Sequence, residues 1–299
     1  MSHPIIAVLG LGAVGLPMAT RLGERFSVRG YDISGERLAL GEKAGLIPAE
    51  NAREAATGAD VVLLAVRNKA QLDEALYGMD GVVGVLEPGA VIVLTSTVGI
   101  DAVREVAGQL AQAKLHLVDA PISGGPARAG KGDLLVTVGA DDAAYTAALP
   151  VLEQLASTLV RIGPKAGDGQ AMKTVNQLLC GVHIAAGAEA LALADALGLD
   201  PAVALKTLSA GAAASFMLGD RGPRMLQAYD ESGAEVKSRL DIFVKDMGIV
   251  NSAARAVGLA TPIAAAAEGL YLIGQANGQA AADDSSVIRV VAPYRRQKA

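Results

Sequence analysis

Residues 5–15 read IIAVLGLGAVG, a β-rich apolar run followed by a glycine-rich loop. Gly10 permits the tight turn after the predicted strand, Gly12 lets the backbone approach a pyrophosphate, and Gly15 allows close packing of helix on strand. Asp32 stands twenty residues beyond Gly12, at the end of the next β-rich run, where a ribose-binding acid is expected. The stretch predicts a dinucleotide-binding βαβ unit, with a glycine-rich turn in an unrelated α/β fold as the alternative.

The cofactor predicted from this unit is NAD rather than NADP. Asp32 would accept hydrogen bonds from the ribose hydroxyls, and its charge would repel a 2'-phosphate. Arg37 follows closely and could bind such a phosphate, although a solvated arginine on a helix is more common. The candidate cofactor-binding loop comprises Gly10, Leu11, Gly12, Ala13, Val14 and Gly15.

The chain has 299 residues, enough for two domains with cores of their own. Hydrophobic residues make up 52% and charged residues 19%, and the net charge is -5. This composition argues against disorder and against nucleic-acid binding through a general basic field. The partner expected instead is a small molecule.

Strand and helix signals alternate in the first half of the chain, which predicts a Rossmann-type, doubly wound parallel sheet over residues 1–164. Strand-like runs end near Val160, and an Ala- and Leu-rich stretch follows, so residues 165–299 are predicted to form an all-helical domain. Its first helix, from Gln170 to Leu197, would be about 40 Å long. It is apolar nearly all round, so other helices or a second subunit must cover it, and a homodimer or higher homo-oligomer is expected.

The chain is predicted to be cytoplasmic. Cys180 cannot form an internal disulfide, and His3, His116 and His183 lack metal-ligand spacing, so no metal site is expected. The apolar N-terminus has no charged leader region and is broken by glycines, unlike a signal peptide. The apolar stretch 178–199 carries charged residues, which favours a buried helix over a membrane span.

A second candidate site follows the fifth predicted strand, where residues 119–126 read DAPISGGP. Strand ends of this kind line the ligand crevice of doubly wound sheets. Ser123 offers a hydroxyl, and Gly124 and Gly125 offer unobstructed N–H groups suited to a small carboxylate. An ordinary tight turn with a solvated serine is the alternative.

A third candidate site lies in GDGQAMKTVNQ, residues 167–177. On a helix, Lys173, Asn176 and Gln177 share one stripe. An amine and two amides on the first turns of an apolar helix indicate a functional site, while a helix end that lifts a lysine into water is the simpler alternative.

Together with FVKD at residues 243–246, these motifs resemble the β-hydroxyacid dehydrogenases in order and spacing over nearly the whole chain. The resemblance implies a Rossmann domain, a helical domain, and hydride transfer between a nicotinamide and a small hydroxy acid or semialdehyde. It implies that Lys173 is the catalytic acid and base and that Ser123, Gly124 and Gly125 bind substrate. In the family, the amide that helps hold the substrate stands four residues after the lysine and is often Asn. Here that position is Gln177, preceded by Asn176, and both are candidate substrate-binding residues.

The resemblance also implies the remaining cofactor contacts. Lys245 matches a family lysine near the nicotinamide, and Thr97 matches a cofactor-contacting threonine. Val66 and Arg67 align with residues that pass along the cofactor, but Arg67 replaces a more common proline, and its role stays open.

Three alternatives remain at this point. The substrate expected is a small polyhydroxy acid such as L-threonate or a tartronate-semialdehyde-type molecule, with 3-hydroxyisobutyrate as the alternative. An imine reductase shares the architecture by resemblance but usually lacks the lysine. A non-catalytic nucleotide sensor would keep the glycine loop and lose the clusters around Ser123 and Lys173.

The polyhydroxy substrate is predicted because part of the second domain resembles the branch of the family that acts on threonate. That part comprises residues 215–217, Arg221, Arg224 and residues 241–246. The roles of the two arginines stay open. The simpler alternative is that both arginines lie in solvent and that water fills the spare polar positions of the site.

Overall fold

The computed structural model describes residues 4–295, so His3 and the outermost residues of both predicted domains lie outside the described part of the chain. The chain divides into two compact units, Met1–Lys173 and Thr174–Ala299. Each unit is described by itself below.

The first unit contains a nine-stranded sheet with helices between the strands. The strands are β1 (Ile5–Leu9), β2 (Ser27–Tyr31), β3 (Ile47–Pro48), β4 (Val61–Leu64), β5 (Val91–Leu94), β6 (His116–Asp119), β7 (Ile122–Ser123), β8 (Leu134–Gly139) and β9 (Ala156–Gly163). The helices are α1 (Gly15–Gly23), α2 (Gly35–Lys43), α3 (Ala52–Ala56), α4 (Lys69–Tyr77), α5 (Ile100–Gln112), α6 (Gly125–Ala129) and α7 (Asp142–Leu155). The strand order is β3-β2-β1-β4-β5-β6-β8-β7, and β9 pairs with β8.

The central strands are apolar without alternation because helices cover both faces of the sheet. Along β1, Ile6 and Val8 enter one core cluster, whereas Ala7 and Leu9 enter the other. The strands β4, with the sequence VVLL, and β5, with the sequence VIVL, are apolar for the same reason. Every residue of both strands is buried. The α/β fold class predicted from these runs is confirmed.

The sheet differs from the prediction at its far edge. The strands β1 to β6 are mutually parallel, but β8 runs antiparallel to β6 and β7. The two-residue strands β3 and β7 are too short to show a periodic pattern. The short strand expected near Val160 is the eight-residue β9, which pairs parallel with β8.

The second unit is helical. The long helix α8 (Asp168–Ala196) begins in the first unit and continues through the second. The further helices are α9 (Pro201–Ala210), α10 (Phe216–Gln227), α11 (Leu240–Ala256), α12 (Pro262–Gly274) and α13 (Ile288–Val291). Up to residue 295, the unit contains no strand beyond the isolated bridge between Arg239 and Asp283.

The core of the second unit forms where α8, α11 and α12 meet. Phe243 of α11 stacks on Tyr271 of α12, with ring centroids 5.4 Å apart. The Tyr271 hydroxyl donates to the carbonyl of Gly181 at 2.8 Å, which satisfies the one polar group of this fully buried ring. A Cβ at Gly181 would overlap Met247, so this glycine lets α11 approach α8 closely.

The helix α8 is only partly covered within the chain. Ile184, Ala188 and Leu191 are buried, while Val175 and Leu179 are 55% and 50% exposed. By length and composition α8 is the one helix in residues 4–295 that could cross a membrane, but half of its most apolar window is buried in the protein. Such burial is typical of a core helix.

Two arginines of α10 form buried ion pairs in the second unit. Arg221 Nη2 lies 2.9 Å from Asp284 Oδ2, and Arg224 Nε lies 2.9 Å from Asp283 Oδ1. Both aspartates are fully or almost fully buried. The alternative that these arginines lie in solvent is therefore wrong. Their partners stand some sixty residues later in the chain, at the start of the last helical segment, so the local sequence does not reveal the pairing.

Candidate active site

The glycine-rich loop between β1 and α1 has the shape that a pyrophosphate requires. Gly10 has a φ of +96°, and a Cβ there would lie 2.5 Å from the carbonyl oxygen of Ala65. A Cβ at Gly15 would overlap the backbone of Gly10, whereas a Cβ at Gly12 would meet nothing within 4 Å. The loop is thus closed on the protein side and open at Gly12, beside the N–H groups at the start of α1, and it fits a dinucleotide phosphate.

Asp32 lies directly after β2 and faces this loop. Its Oδ2 accepts from the backbone N–H of Leu11 at 2.6 Å, and its Oδ1 accepts from the N–H of Ser34 at 2.8 Å. Since each carboxylate oxygen can accept two hydrogen bonds, acceptor capacity remains for ribose hydroxyls. The neighbouring Ile33 is uncharged and 84% exposed, and Arg37 is exposed on α2.

The other proposed cofactor contacts in the first unit also follow parallel strands. Val66 and Arg67 come after β4, and Thr97 comes after β5. The backbone N–H of Arg67 donates to Gln71 Oε1 at 2.9 Å, and its side chain is exposed. These positions share the carboxyl edge of the sheet with the glycine loop, which is where ligands bind in doubly wound folds.

Ser123 and Lys173 meet in the first unit, although fifty residues separate them. Lys173 Nζ donates to Ser123 Oγ at 3.0 Å. The lysine side chain is largely buried, since the residue is 9% exposed. An amine and a hydroxyl at this distance can together hold a substrate hydroxyl and exchange its proton.

The loop after Ser123 leaves its backbone accessible. Gly124 has a φ of +142°, and a Cβ there would lie 2.9 Å from the Leu134 side chain. A Cβ at Gly125 would meet nothing within 4 Å, so the space beside it is open. This geometry agrees with the predicted carboxylate-binding turn, in which small residues leave N–H groups unobstructed.

The first turn of α8 is anchored by two fully buried polar residues, Asp119 at the end of β6 and Gln170. Asp119 accepts from the backbone N–H groups of Gly167 and Gln170, at 2.9 and 2.8 Å. Burial raises the pKa of Asp119 to about 6, and the hydrogen bonds from Gln170 and Gly167 limit the rise. Both residues lie within the second and third candidate sites, but the sequence assigns a role to neither, because its only signal is a polar residue beside each predicted site.

Asn176 and Gln177 lie one turn beyond Lys173 along α8. Gln177 Nε2 donates to Asp246 Oδ2 at 2.5 Å, and Gln177 Oε1 accepts from Asn176 Nδ2 at 2.9 Å. Lys245 Nζ lies 2.8 Å from Asp246 Oδ1. Asn176 Nδ2 also lies 3.4 Å from Cys180 Sγ, and the Asn176 side chain is only half-buried.

Known proteins resemble both units. Residues 5–163 match the NAD binding domain of 6-phosphogluconate dehydrogenase, and residues 167–291 match the NAD-binding domain of NADP-dependent 3-hydroxyisobutyrate dehydrogenase. L-threonate dehydrogenase of Cupriavidus necator is 36% identical over 287 residues, 95% of either chain. The Escherichia coli L-threonate dehydrogenase is 35% identical over 95% of this chain and 94% of its own.

A solved structure gives the same assignment. The crystal structure of 3-hydroxyisobutyrate dehydrogenase from Salmonella typhimurium superposes with a TM-score of 0.88 at 34% identity, covering 96% of this chain and 99% of that one. The fold and the sheet-edge loops define an NAD(P)-binding oxidoreductase. The chain belongs to the β-hydroxyacid dehydrogenase family and is a dehydrogenase acting on a CH–OH group.

Proposed function

We propose that this enzyme oxidises a small polyhydroxy acid, L-threonate or a close analogue, with NAD and with Lys173 as general base. The observation that carries the proposal is the hydrogen bond of 3.0 Å between Lys173 Nζ and Ser123 Oγ, formed beside the open backbone at Gly125. A base, a hydroxyl and accessible N–H groups in one place are what a hydroxy acid needs for binding and deprotonation.

Lys173 acts on the proton of the substrate hydroxyl. In the oxidative direction its neutral amine takes that proton as the carbonyl forms, and in the reductive direction the ammonium returns it and stabilises the developing alkoxide. Ser123 holds the same hydroxyl in line with the amine, and the N–H groups at Gly124 and Gly125 hold the carboxylate. When bound, the nicotinamide accepts or donates the hydride at the carbinol carbon.

NAD is the cofactor that the ribose site favours. Asp32 would accept from the ribose hydroxyls and repel a 2'-phosphate, and the adjacent exposed Ile33 carries no charge to attract one. The glycine loop would hold the pyrophosphate, while Val66, Arg67, Thr97 and Lys245 would flank the rest of the cofactor. Arg37 is the residue that could favour NADP instead, and its backbone N–H donates to Ser34 at the start of α2.

The substrate class is supported by the relatives and by the polar groups that the motifs supply. Relatives named L-threonate dehydrogenase match the chain along its length. The family resemblance assigns the substrate amide to the position of Gln177, and the half-buried Asn176 beside it would accept from an additional substrate hydroxyl. The alternative is 3-hydroxyisobutyrate, favoured by the name of the structure from Salmonella typhimurium.

A substrate panel tests the proposal. Purified enzyme is assayed by nicotinamide absorbance with L-threonate, glycerate and 3-hydroxyisobutyrate, each with NAD and with NADP. We expect the highest kcat/KM for L-threonate with NAD. A clear preference for 3-hydroxyisobutyrate would refute the polyhydroxy substrate, and turnover of imines but of no hydroxy acid would contradict the whole assignment.

The exposed side of α8 supports a homodimer or a larger homo-oligomer. Val175, Leu179 and Leu193 are each at least half exposed on α8. A second copy of the chain would remove these side chains from water. Light scattering coupled to size exclusion tests this, since a strictly monomeric mass at micromolar concentration would contradict it.

A further inference from the structure

Asp119 and Gln170 are fully buried polar residues that lie close in sequence to the proposed catalytic pair, Ser123 and Lys173. Neither side chain is exposed to a ligand. Each stands a short distance along the chain from one member of that pair, since Asp119 precedes Ser123 by four residues and Gln170 precedes Lys173 by three.

The side-chain amide of Gln170 uses its full hydrogen-bonding capacity within the first unit. Its Oε1 accepts from the backbone N–H groups of Val98 and Gly99, at 3.1 and 3.2 Å. Its Nε2 donates to the carbonyl of Ser96 at 3.0 Å and to Asp119 Oδ1 at 2.9 Å. An amide offers two donors and two acceptor sites, so its orientation is fixed and it cannot flip.

The carboxylate of Asp119 completes the connection. Its Oδ2 accepts from two backbone N–H groups at the start of α8, which have no partner within the helix. Its Oδ1 accepts from the Gln170 amide. The direction of each hydrogen bond is therefore fixed, because Asp119 accepts from N–H donors on both sides.

The surrounding backbone allows little displacement. A Cβ at Gly169 would lie 2.6 Å from the carbonyl oxygen of Asp119 and 2.8 Å from that of Thr137. A Cβ at Gly139 would overlap Lys165, so the start of α8 lies directly against β6 and β8. Because the space is so limited, the hydrogen bonds of Asp119 and Gln170 determine where the first turn of α8 packs.

We propose that Asp119 and Gln170 are positioning residues that lock the loop at residues 96–99 and the first turn of α8 to the end of β6. By this link they hold Lys173 Nζ within reach of Ser123 Oγ. The loop they hold includes Thr97, so the same pair also fixes the edge where the cofactor is proposed to bind. This positioning role rests on the proposed function of Lys173.

A charge-swap experiment tests this role. Gln170→Glu alone sets two carboxylates against each other, and Asp119→Asn alone sets an amide N–H against a donor on one side or the other. In the double variant, the new amide at position 119 keeps an oxygen toward the two backbone N–H groups and donates to the new carboxylate at position 170. That carboxylate still accepts from Val98 and Gly99, and the pair keeps one negative charge, but the carbonyl of Ser96 loses its donor in Gln170→Glu and in the double variant alike.

We expect each single variant to lower kcat about ten- to a hundredfold with L-threonate or the preferred acid of the panel. The KM for the acid should change less than about threefold, and the pH profile of kcat should shift. The double variant should have a kcat several-fold higher than either single variant, although the Ser96 carbonyl without its donor should keep it below the parent enzyme. Gln112→Glu, on the exposed face of α5, is the matched control and should leave kcat unchanged.

Several results would overturn the positioning role. Single variants with parental kcat would do so. A double variant whose kcat and whose folding, measured by circular dichroism, are no better than those of the single variants would also do so. Lys173→Ala is measured alongside to separate the two claims. If Lys173→Ala retains activity, the proposed function has failed, whereas an inactive Lys173→Ala beside fully active single variants removes only the positioning role.

Discussion

Lys173 donates a hydrogen bond to Ser123 across 3.0 Å, which joins the second turn of a long helix to a two-residue strand at the sheet edge. Both residues belong to the first unit, so this contact is internal to one compact unit. Variants of this pair, of the cofactor site and of the buried charges should each have a distinct phenotype.

Replacement of Asp32 by alanine should weaken NAD binding and narrow the preference for NAD over NADP. The variant loses the ribose acceptor and the charge that repels a 2'-phosphate at the same time. Steady-state KM values for both cofactors, with Glu36→Ala on the exposed face of α2 as control, measure the effect. A parent enzyme that already prefers NADP would show that Arg37 or a neighbour governs this site.

Asn176 and Gln177 should have different phenotypes despite their adjacency. Gln177→Ala leaves the buried Asp246 carboxylate without the hydrogen bond from Nε2, so the free energy of unfolding should fall by about 1–3 kcal/mol. Asn176→Ala removes the donor to Gln177 Oε1 but takes no hydrogen bond from a buried charge, so it should lower stability less than Gln177→Ala does, and it should raise KM for the acid. Denaturant unfolding and KM measurements on both variants check this, and the reverse pattern would show that Gln177 is the residue facing the substrate.

Arg224→Leu should destabilise the second unit by about 3–5 kcal/mol, the usual effect of removing one partner of a buried ion pair. Asp283 is almost fully buried, and although burial acts to raise its pKa, hydrogen bonds from Ser285 and from the backbone of Lys237 lower it, so the charge would remain. Thermal unfolding measures the loss. Arg255→Leu, at an exposed position on α11, is the control, and equal stability of the two variants would contradict the buried pair.

Asp119 should make folding stability depend on pH. Burial raises its pKa from 3.8 to about 6, so the folded state binds the proton more tightly than the unfolded state does. This contribution is fully present below pH 3.8 and is lost as pH rises through 6, a change of about 3 kcal/mol at 1.36 kcal/mol per pKa unit. The unfolding free energy of the parent relative to Asp119→Asn should therefore fall between about pH 4 and 7, and a difference that rises with pH would contradict the raised pKa.

The sequence predicts those parts of the molecule that depend on local pattern. The glycine loop with Asp32 identifies the nucleotide unit because turn, strand and helix are neighbours in the chain. The apolar run after Gln170 likewise predicts α8, which the structure places at Asp168–Ala196.

Features that depend on distant pairing could not be predicted in the same way. Arg224 and Asp283 are 59 residues apart, and Asp119 and Gln170 are 51 apart, so no periodicity connects them. The antiparallel direction of β8 is set by pairing with β6 and β7, which the run Leu134–Gly139 does not reveal.

Proton transfer by Lys173 is the central claim, and single-turnover kinetics of Lys173→Ala with saturating NAD and L-threonate test it most directly. We predict a rate lower by about two to four orders of magnitude, the usual contribution of a general acid or base, with NAD affinity nearly unchanged by fluorescence titration. A rate close to that of the parent enzyme would contradict the assignment.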